Sequence, residues 1–467
     1  MAGWDIALIA LALLAYAVVS RRLAHLPLTA AMLFLVAGFV LGDDGFGWFA
    51  AEIDSSAVRA LAEITLAAVL FADASAIDTR ALRREAGIPL RLLLIGLPLT
   101  IALGTVAALG LFPGLDLFSA AVLAVLLAPT DAALGQAVVS DRRIPSRIRQ
   151  GLNVESGLND GICVPLLFTA AAMATLEETP SIDGGILVDL VEEVGIGVAV
   201  GVAIAALVAT LLVASTARGW LAEEWAQVVP PAAAALAYAV TDELGGSGFI
   251  GAFVAGLLYG RLLGSRAHET VLLLEEVGQV LSAVTFFVFA AVVVGPALTE
   301  TDVATITYAV LSLTAVRMAP VTISMLGSRA APATIAFTGW FGPRGLASIV
   351  FALTIVEESG LVDAPLIVRV ASITVVVSVF AHGATAAWLS DRYVTWFRRS
   401  EHRLDIEAER VTTGIRPRGM AARTATSSGG RGQPSPDRPS PSDRPPSAPQ
   451  HPSAHGPPSG DHGRAGG

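Results

Sequence analysis

The sequence predicts an all-α polytopic membrane protein with about thirteen transmembrane helices. Of its 467 residues, 54% are hydrophobic and only 15% are charged, where a soluble domain of this length carries roughly a quarter. Mean hydropathy is +0.66. The charges cluster, leaving stretches such as 120–129 and 284–296 with none. The apolar runs between them are each about 17–26 residues long, close to what a tilted helix needs to cross a hydrocarbon core of about 30 Å.

In chain order the candidate spans are 3–20, 27–42, 57–76, 88–111, 117–139, 151–175, 188–213, 224–242, 245–263, 271–295, 302–326, 331–356 and 365–389. The first run, Trp4–Ser20, differs from a signal peptide because Arg21 and Arg22 follow it and no small-residue cleavage site is evident. It is expected to stay as a spanning helix. Gly245, Gly246 and Gly248 blur the border between the eighth and ninth spans.

Loop charges test this count. Alternate loops are arginine-rich: Arg21/Arg22, Arg80/Arg83/Arg84, Arg142/Arg143/Arg147/Arg149, Arg218, Arg261/Arg266, Arg329 and Arg392/Arg398/Arg399. Those between are acidic or neutral. The positive-inside rule makes the arginine loops cytoplasmic, with the N-terminus outside and the C-terminus inside. Only Arg59 and Arg369 go against it. All 30 basic residues are arginine, which reads as a codon-composition bias of the source. The net charge of −10 sums loops on two sides of a membrane and says nothing of acidic solubility. A single cysteine, Cys163, rules out an internal disulfide and leaves the redox compartment unread.

The transmembrane domain is expected over 1–395. A charged cytoplasmic helix or linker then covers 396–411. Residues 412–467, dense in Pro, Ser, Gly and Arg, cannot bury a core and read as a disordered cytoplasmic tail. A tolerated low-complexity extension is the simpler reading of that tail, ahead of a regulatory one.

Ionisable groups inside a span cost about 2.5–3.5 kcal/mol each on insertion scales and are functional candidates by default. Four places stand out. In span five, Pro129 precedes Thr130 and Asp131 near the middle. A proline there frees backbone groups to face an ion; the bland alternative is a kink with a satisfied aspartate. In span six, Glu155, Ser156, Asn159 and Asp160 fall within about two turns, with Ser156 and Asp160 on one face and Glu155 and Asn159 on the next. In span twelve, Gly339, Gly342, Pro343 and Gly345 interrupt the helix around Arg344, a buried cation for which Glu155 is the natural partner. Arg317 in span eleven is a weaker version of the same thing. Asp73, near the cytoplasmic end of span three, reads equally as an interfacial residue or a vestibule ligand. If the spans divide as six, a connector and six, both breaks fall in the fifth span of their half. The halves then have inverted topology and the broken helices cross.

Ala128-Pro129-Thr130-Asp131, Glu155-Ser156-Gly157-Leu158-Asn159-Asp160-Gly161 and Gly342-Pro343-Arg344-Gly345-Leu346 together resemble the signatures of the NhaP/NHE branch of cation:proton antiporters. The resemblance covers roughly 1–395, and the adjacent Asn-Asp pair is its most specific element. It implies an NhaA-like antiporter fold and a homodimer in which a core domain moves against a dimerisation domain. It further implies exchange of Na⁺, Li⁺ or K⁺ for H⁺. On it, Asp160 binds cation and proton alternately, and Thr130, Asp131 and Ser156 supply further oxygen ligands to the Na⁺. Glu155, Asn159 and Arg344, with Arg317 nearby, form a core polar network, and Asp73 lines the cytoplasmic approach. The family often has proline after the Thr-Asp pair, where Ala132 stands here.

The residues agree on their own terms, since a hard alkali cation wants oxygen ligands and the cluster offers carboxylates and hydroxyls without His or Cys. The resemblance implies as partners a monovalent cation, a proton, the lipid bilayer and a second copy of the chain. No cofactor, enzymatic reaction or nucleic acid is implied. One titrating carboxylate points to electroneutral exchange across the plasma membrane. An intramembrane aspartyl protease lacks its Gly-x-Gly-Asp and Tyr-Asp motifs here, and a channel lacks symmetric pore loops. A transporter-derived sensor is the remaining alternative.

Overall fold

A computed structural model describes residues 3–23, 26–49, 56–77, 87–131, 134–135, 138, 141–175, 184–358 and 360–400. Among these there is no strand, and each of the thirteen expected segments carries helix. In order they are α1 (Gly3–Leu23), α2 (Ala30–Leu41), α3 (Ser56–Ser75), α4 (Gly87–Leu111), α5 (Leu117–Leu126), α6 (Ser146–Ala174), α7 (Gly184–Ala217), α8 (Val229–Glu243) and α9 (Gly248–Leu263). They continue as α10 (Ser265–Thr299), α11 (Val303–Leu313), α12 (Ala315–Ser324), α13 (Pro332–Trp340), α14 (Leu346–Glu358) and α15 (Ala364–Ser400). Six of these, α1, α4, α6, α7, α10 and α15, are long and apolar enough to cross a membrane by length and composition, as is Val303–Ser324, α11 and α12 taken together. The others are shorter, several because a span is built from two pieces.

The differences from the sequence reading have local causes. Span five stops being regular helix at Leu126, two residues before Ala128-Pro129. Span eleven is cut at Thr314 into α11 and α12, and span twelve at 341–345 into α13 and α14. Span thirteen runs on past 389 to Ser400, through the boundary expected at 395/396. The charges that suggested an end are accommodated along the helix: Asp391 pairs with Arg143 at 2.8 Å, and the Arg392 guanidinium lies 5.5 Å from the Trp388 ring. Arg398 and Arg399 in the last turn suit the negative end of the helix dipole. Residues 401–467, including the expected tail, lie outside the described residues, as do Arg80, Arg83, Arg84 and Ala132. Arg369, one of the two exceptions to the loop-charge pattern, pairs with Glu300 at 3.1 Å.

The main buried cluster draws on α2, α5, α6, α10, α14 and α15. A second cluster joins α3, α7, α8, α9 and the first half of α10. Within it, Gly256 and Gly260 of α9 lie against the backbone of Phe71 and Ser75 of α3, where a Cβ would collide. Two helices come this close only on small residues. Large side chains such as Leu94, Val106, Val191 and Val303 are left exposed. Apolar surface on this scale suits lipid rather than water.

Candidate functional site: two broken helices and the carboxylate beside them

α5 begins on an N-cap: the Asp116 carboxylate accepts from Phe118 N at 2.7 Å and Ser119 N at 3.1 Å. Burial pushes this carboxyl up, but its hydrogen bonds to Ser119 and Phe118 outweigh that and hold it below the ordinary value. At the far end the helix cannot continue, because Pro129 has no N–H to donate. The carbonyls this leaves are taken by side chains from other elements. Ser348 Oγ donates to Leu126 O at 2.9 Å. Arg344 Nη1 donates to Ala128 O at 2.7 Å and Pro129 O at 3.0 Å. Ser156 Oγ donates to Thr130 O. Four buried acceptors, each of which would cost roughly 1–3 kcal/mol unmet, are satisfied.

The second break runs from Phe341 to Gly345. Its amides are what the first break's acidic residue needs. Asp131 N donates to Pro343 O at 2.8 Å. In return the Asp131 carboxylate accepts from Leu346 N at 3.0 Å, at the start of α14, and from Leu134 N at 3.3 Å. A carboxylate at a helix N-terminus is favourably placed against the dipole. Two glycines make the fit possible. A Cβ on Gly345 would strike the Asp131 carboxylate, and one on Gly342 would strike the Arg317 guanidinium.

The expected Glu155–Arg344 pair does not form. Glu155 is taken bidentately by Arg317, Nη1 to Oε1 at 2.5 Å and Nη2 to Oε2 at 2.8 Å, with both side chains buried. Arg344, fully buried, goes instead to the orphaned carbonyls of the first break. Two facts of geometry decide this. Thr314 places Arg317 in the first turn of a new helix, where its planar fork meets the carboxylate edge-on. The negative C-terminal end of α5 offers Arg344 a site that needs no carboxylate.

Asp160 is buried in mid-α6, and its Oδ1 has no hydrogen-bond donor among the described residues. The Oδ1 of neighbouring Asn159 likewise has none, while its Nδ2 donates to Thr130 Oγ1 at 2.8 Å. Thr130 is thus joined to α6 twice, through Asn159 and Ser156. Asp131 and Asp73 are close enough to act on Asp160 electrostatically, and Asp73 packs beside Gly157, one turn earlier on α6. A small pocket with room for about one water opens on the crossing, lined among others by Thr130, Asp131, Ser156, Leu152 and Phe341. Of the expected cation ligands, Asp160, Ser156 and Thr130 are therefore gathered around α6. Asp131 is adjacent but turned to the α14 N-terminus. That orientation also removes the aspartyl-protease reading, which needs two carboxylates sharing one proton.

Sequence reading missed Ser348, Ser378 and His382. Ser378 Oγ accepts from Arg344 N at 2.6 Å, and both ring nitrogens of His382 are hydrogen-bonded. His382 lies in the middle of an apolar span, so the rule that marked the other ionisable residues would have found it. The serines gave no signal, because a hydroxyl in a membrane helix usually bonds its own preceding turn.

The family described as "Sodium/hydrogen exchanger, transmembrane" matches residues 9–392. The K(+)/H(+) antiporter NhaP2 of Shewanella oneidensis is 26% identical over 364 residues, covering 76% of this chain and 61% of that protein. The K(+)/H(+) antiporter NhaP of Alkalimonas amylolytica is 25% identical over 370 residues, covering 77% and 62%. The chain thus spans about three-fifths of the length of these relatives. The fold is that of the sodium proton antiporter MjNhaP1 of Methanocaldococcus jannaschii, with a TM-score of 0.70 at 19% identity, covering 84% of this chain and 98% of that one. The crossed breaks, the buried Asn159–Asp160 pair and a match across nearly the whole helical region lead to one conclusion: this chain is a multi-pass membrane protein belonging to the sodium/hydrogen exchanger family.

Proposed function

We propose that the protein exchanges a monovalent cation (Na⁺, Li⁺ or K⁺) for protons across the plasma membrane, with Asp160 holding either cation or proton in turn. The observation that carries this is the buried Asp160 Oδ1 with no donor, on the same helix as Asn159 and Ser156, which hold Thr130. An acceptor kept dry and unpaired is costly, and either a proton or a desolvated cation relieves it. The cation is cargo, so its site needs to be adequate rather than tight. Asp131 serves as a fixed acceptor for backbone amides, and Glu155 and Arg317 neutralise one another. That leaves Asp160 to do the exchange, one cation against one proton, with Asp73 lining the approach. The protein works as a homodimer with its N-terminus outside and C-terminus cytoplasmic, and serves pH and cation homeostasis.

The test is exchange in reconstituted vesicles. Asp160→Asn, nearly isosteric but unable to ionise, abolishes cation-driven proton movement while the protein still inserts and dimerises. Substantial residual exchange would overturn the assignment. One-for-one exchange also ignores an imposed K⁺/valinomycin potential with Na⁺ as substrate, whereas a net charge per cycle would couple at about 2.3 kcal/mol per 100 mV.

A further inference from the structure

His382 is a buried titratable residue with no part in the exchange described above, and its surroundings are specific. Its Nε2 lies 2.9 Å from Trp340 O, the last carbonyl of α13 before the second break. Its Nδ1 lies 3.2 Å from Ser378 Oγ and 2.9 Å from Ser378 O, one turn back on α15. Ser378 Oγ is the acceptor for Arg344 N, at the far side of the same break. The Trp340 indole packs on the imidazole at 5.1 Å between centroids and donates from Nε1 to Thr385 Oγ1 at 3.1 Å. One face of α15 thus holds the chain both before and after the break.

Two protonation states of the ring fit these contacts, and buried charge decides between them. Arg344 N–H occupies Ser378 Oγ as a donor, leaving the hydroxyl hydrogen free to donate to Nδ1. Nε2–H then donates to Trp340 O. The neutral ring so arranged leaves Nδ1 facing Ser378 O at 2.9 Å with no proton between them, whereas a doubly protonated ring would donate to both carbonyls. That charged ring would bring a third buried cation to a core where Glu155 is already paired with Arg317 and Arg344 has only backbone carbonyls, which favours the neutral ring.

We propose that His382, as the neutral ring protonated at Nε2, acts with Ser378 as a positioning residue that clips Trp340 and Arg344, the two ends of the second break, to α15. The clip fixes Pro343 O and Leu346 N, which hold Asp131, and through Asp131 the neighbouring Thr130 beside Asp160. Its effect on transport rests on the exchange reading above; its existence does not.

Two measurements on the full chain separate these. With ¹⁵N-histidine labelling, the ring signals lost in His382→Gln come from one protonated and one unprotonated nitrogen, with Nε2 the protonated one. Two protonated nitrogens, or the opposite tautomer, overturn the proposal. In vesicles, His382→Leu fills the space without hydrogen bonds and raises the apparent KM for the cation about tenfold, with turnover changed less, as expected for about one lost hydrogen bond. Asn, which keeps the Nδ1 acceptor, and Gln, which keeps the donor to Trp340, each restore part of the affinity. A Leu variant with native KM, or Asn and Gln no better than Leu, overturns it. If the Leu variant does not fold, Ser378→Ala takes its place with the same expected rise in KM, and a native value is the overturning result. A wild-type chain that shows the tautomer but no exchange would count against the transport reading alone.

Discussion

The two breaks are made of the same device and present opposite chemistry. The first leaves carbonyls at the C-terminal end of α5, and donors come to it: Ser348, Arg344 and Ser156. The second leaves amides at the N-terminal end of α14, and acceptors come to it: Asp131 and Ser378. Each break supplies the charged side chain that the other's helix end attracts. Arg344 of the second sits on the negative end exposed by the first, and Asp131 of the first sits on the positive end exposed by the second. The lesson is that a buried charge need not face a counter-ion when a helix terminus is available, which frees Glu155 for Arg317 and leaves Asp160 Oδ1 without a donor.

The sharpest way to break this account is the pairing itself. Glu155→Gln or Arg317→Gln alone leaves an unpaired buried charge and destabilises by about 3–5 kcal/mol, read as thermal or denaturant unfolding in detergent. The double variant recovers part of the loss, whereas Glu155→Gln with Arg344→Gln is closer to additive. Stronger coupling to Arg344 than to Arg317 would restore the pairing expected from sequence.

Asp131→Asn comes next. It keeps an acceptor oxygen but removes the charge at the start of α14, a loss of about 2 kcal/mol in a buried geometry, and leaves exchange measurable. An Asp131→Asn protein as inactive as Asp160→Asn would make Asp131 a carrier instead of an acceptor. Ser348→Ala leaves Leu126 O without its donor, for about 1 kcal/mol. A neutral result would mean that water substitutes there.

The smallest effect lies outside the breaks, in the loop before α6. Burial pushes Asp141 up, but the hydrogen bonds and charge of Arg143 outweigh it and hold the carboxyl below its ordinary value of 3.8. A depressed folded value means that the stabilisation is complete above about pH 4 and disappears as pH falls through the lower folded value. With Arg143 half exposed, the gain is under about 1 kcal/mol. Arg143→Gln should therefore lower the unfolding temperature slightly at neutral pH and progressively less in acid. A difference that persists unchanged in strong acid would exclude the pair as its source.

Much of the fold was legible because a bilayer imposes length and polarity on each helix, so apolar runs and arginine loops bracket nearly every element. The breaks were legible for the same reason. Pro129 and the Gly342-Pro343-Arg344-Gly345 run are conspicuous where a helix is obligatory. What did not show in the sequence was partner choice. Glu155 had two candidate arginines, and the answer depended on Thr314 ending α11 just before Arg317, a kink that no proline or glycine marks. The role of Asp131 turned on its distance to Leu346 N, a contact across 215 positions of chain that no local pattern encodes.

Cys163, alone of its kind, is fully buried on α6 one turn beyond Asp160. This chain is therefore one conservative change from a thiol-free background, and it already carries a built-in reporter. Labelling of Cys163 by a small membrane-permeant reagent would time the moments when α6 uncovers. Slower modification in the presence of a transported cation would register occupancy without measuring flux at all.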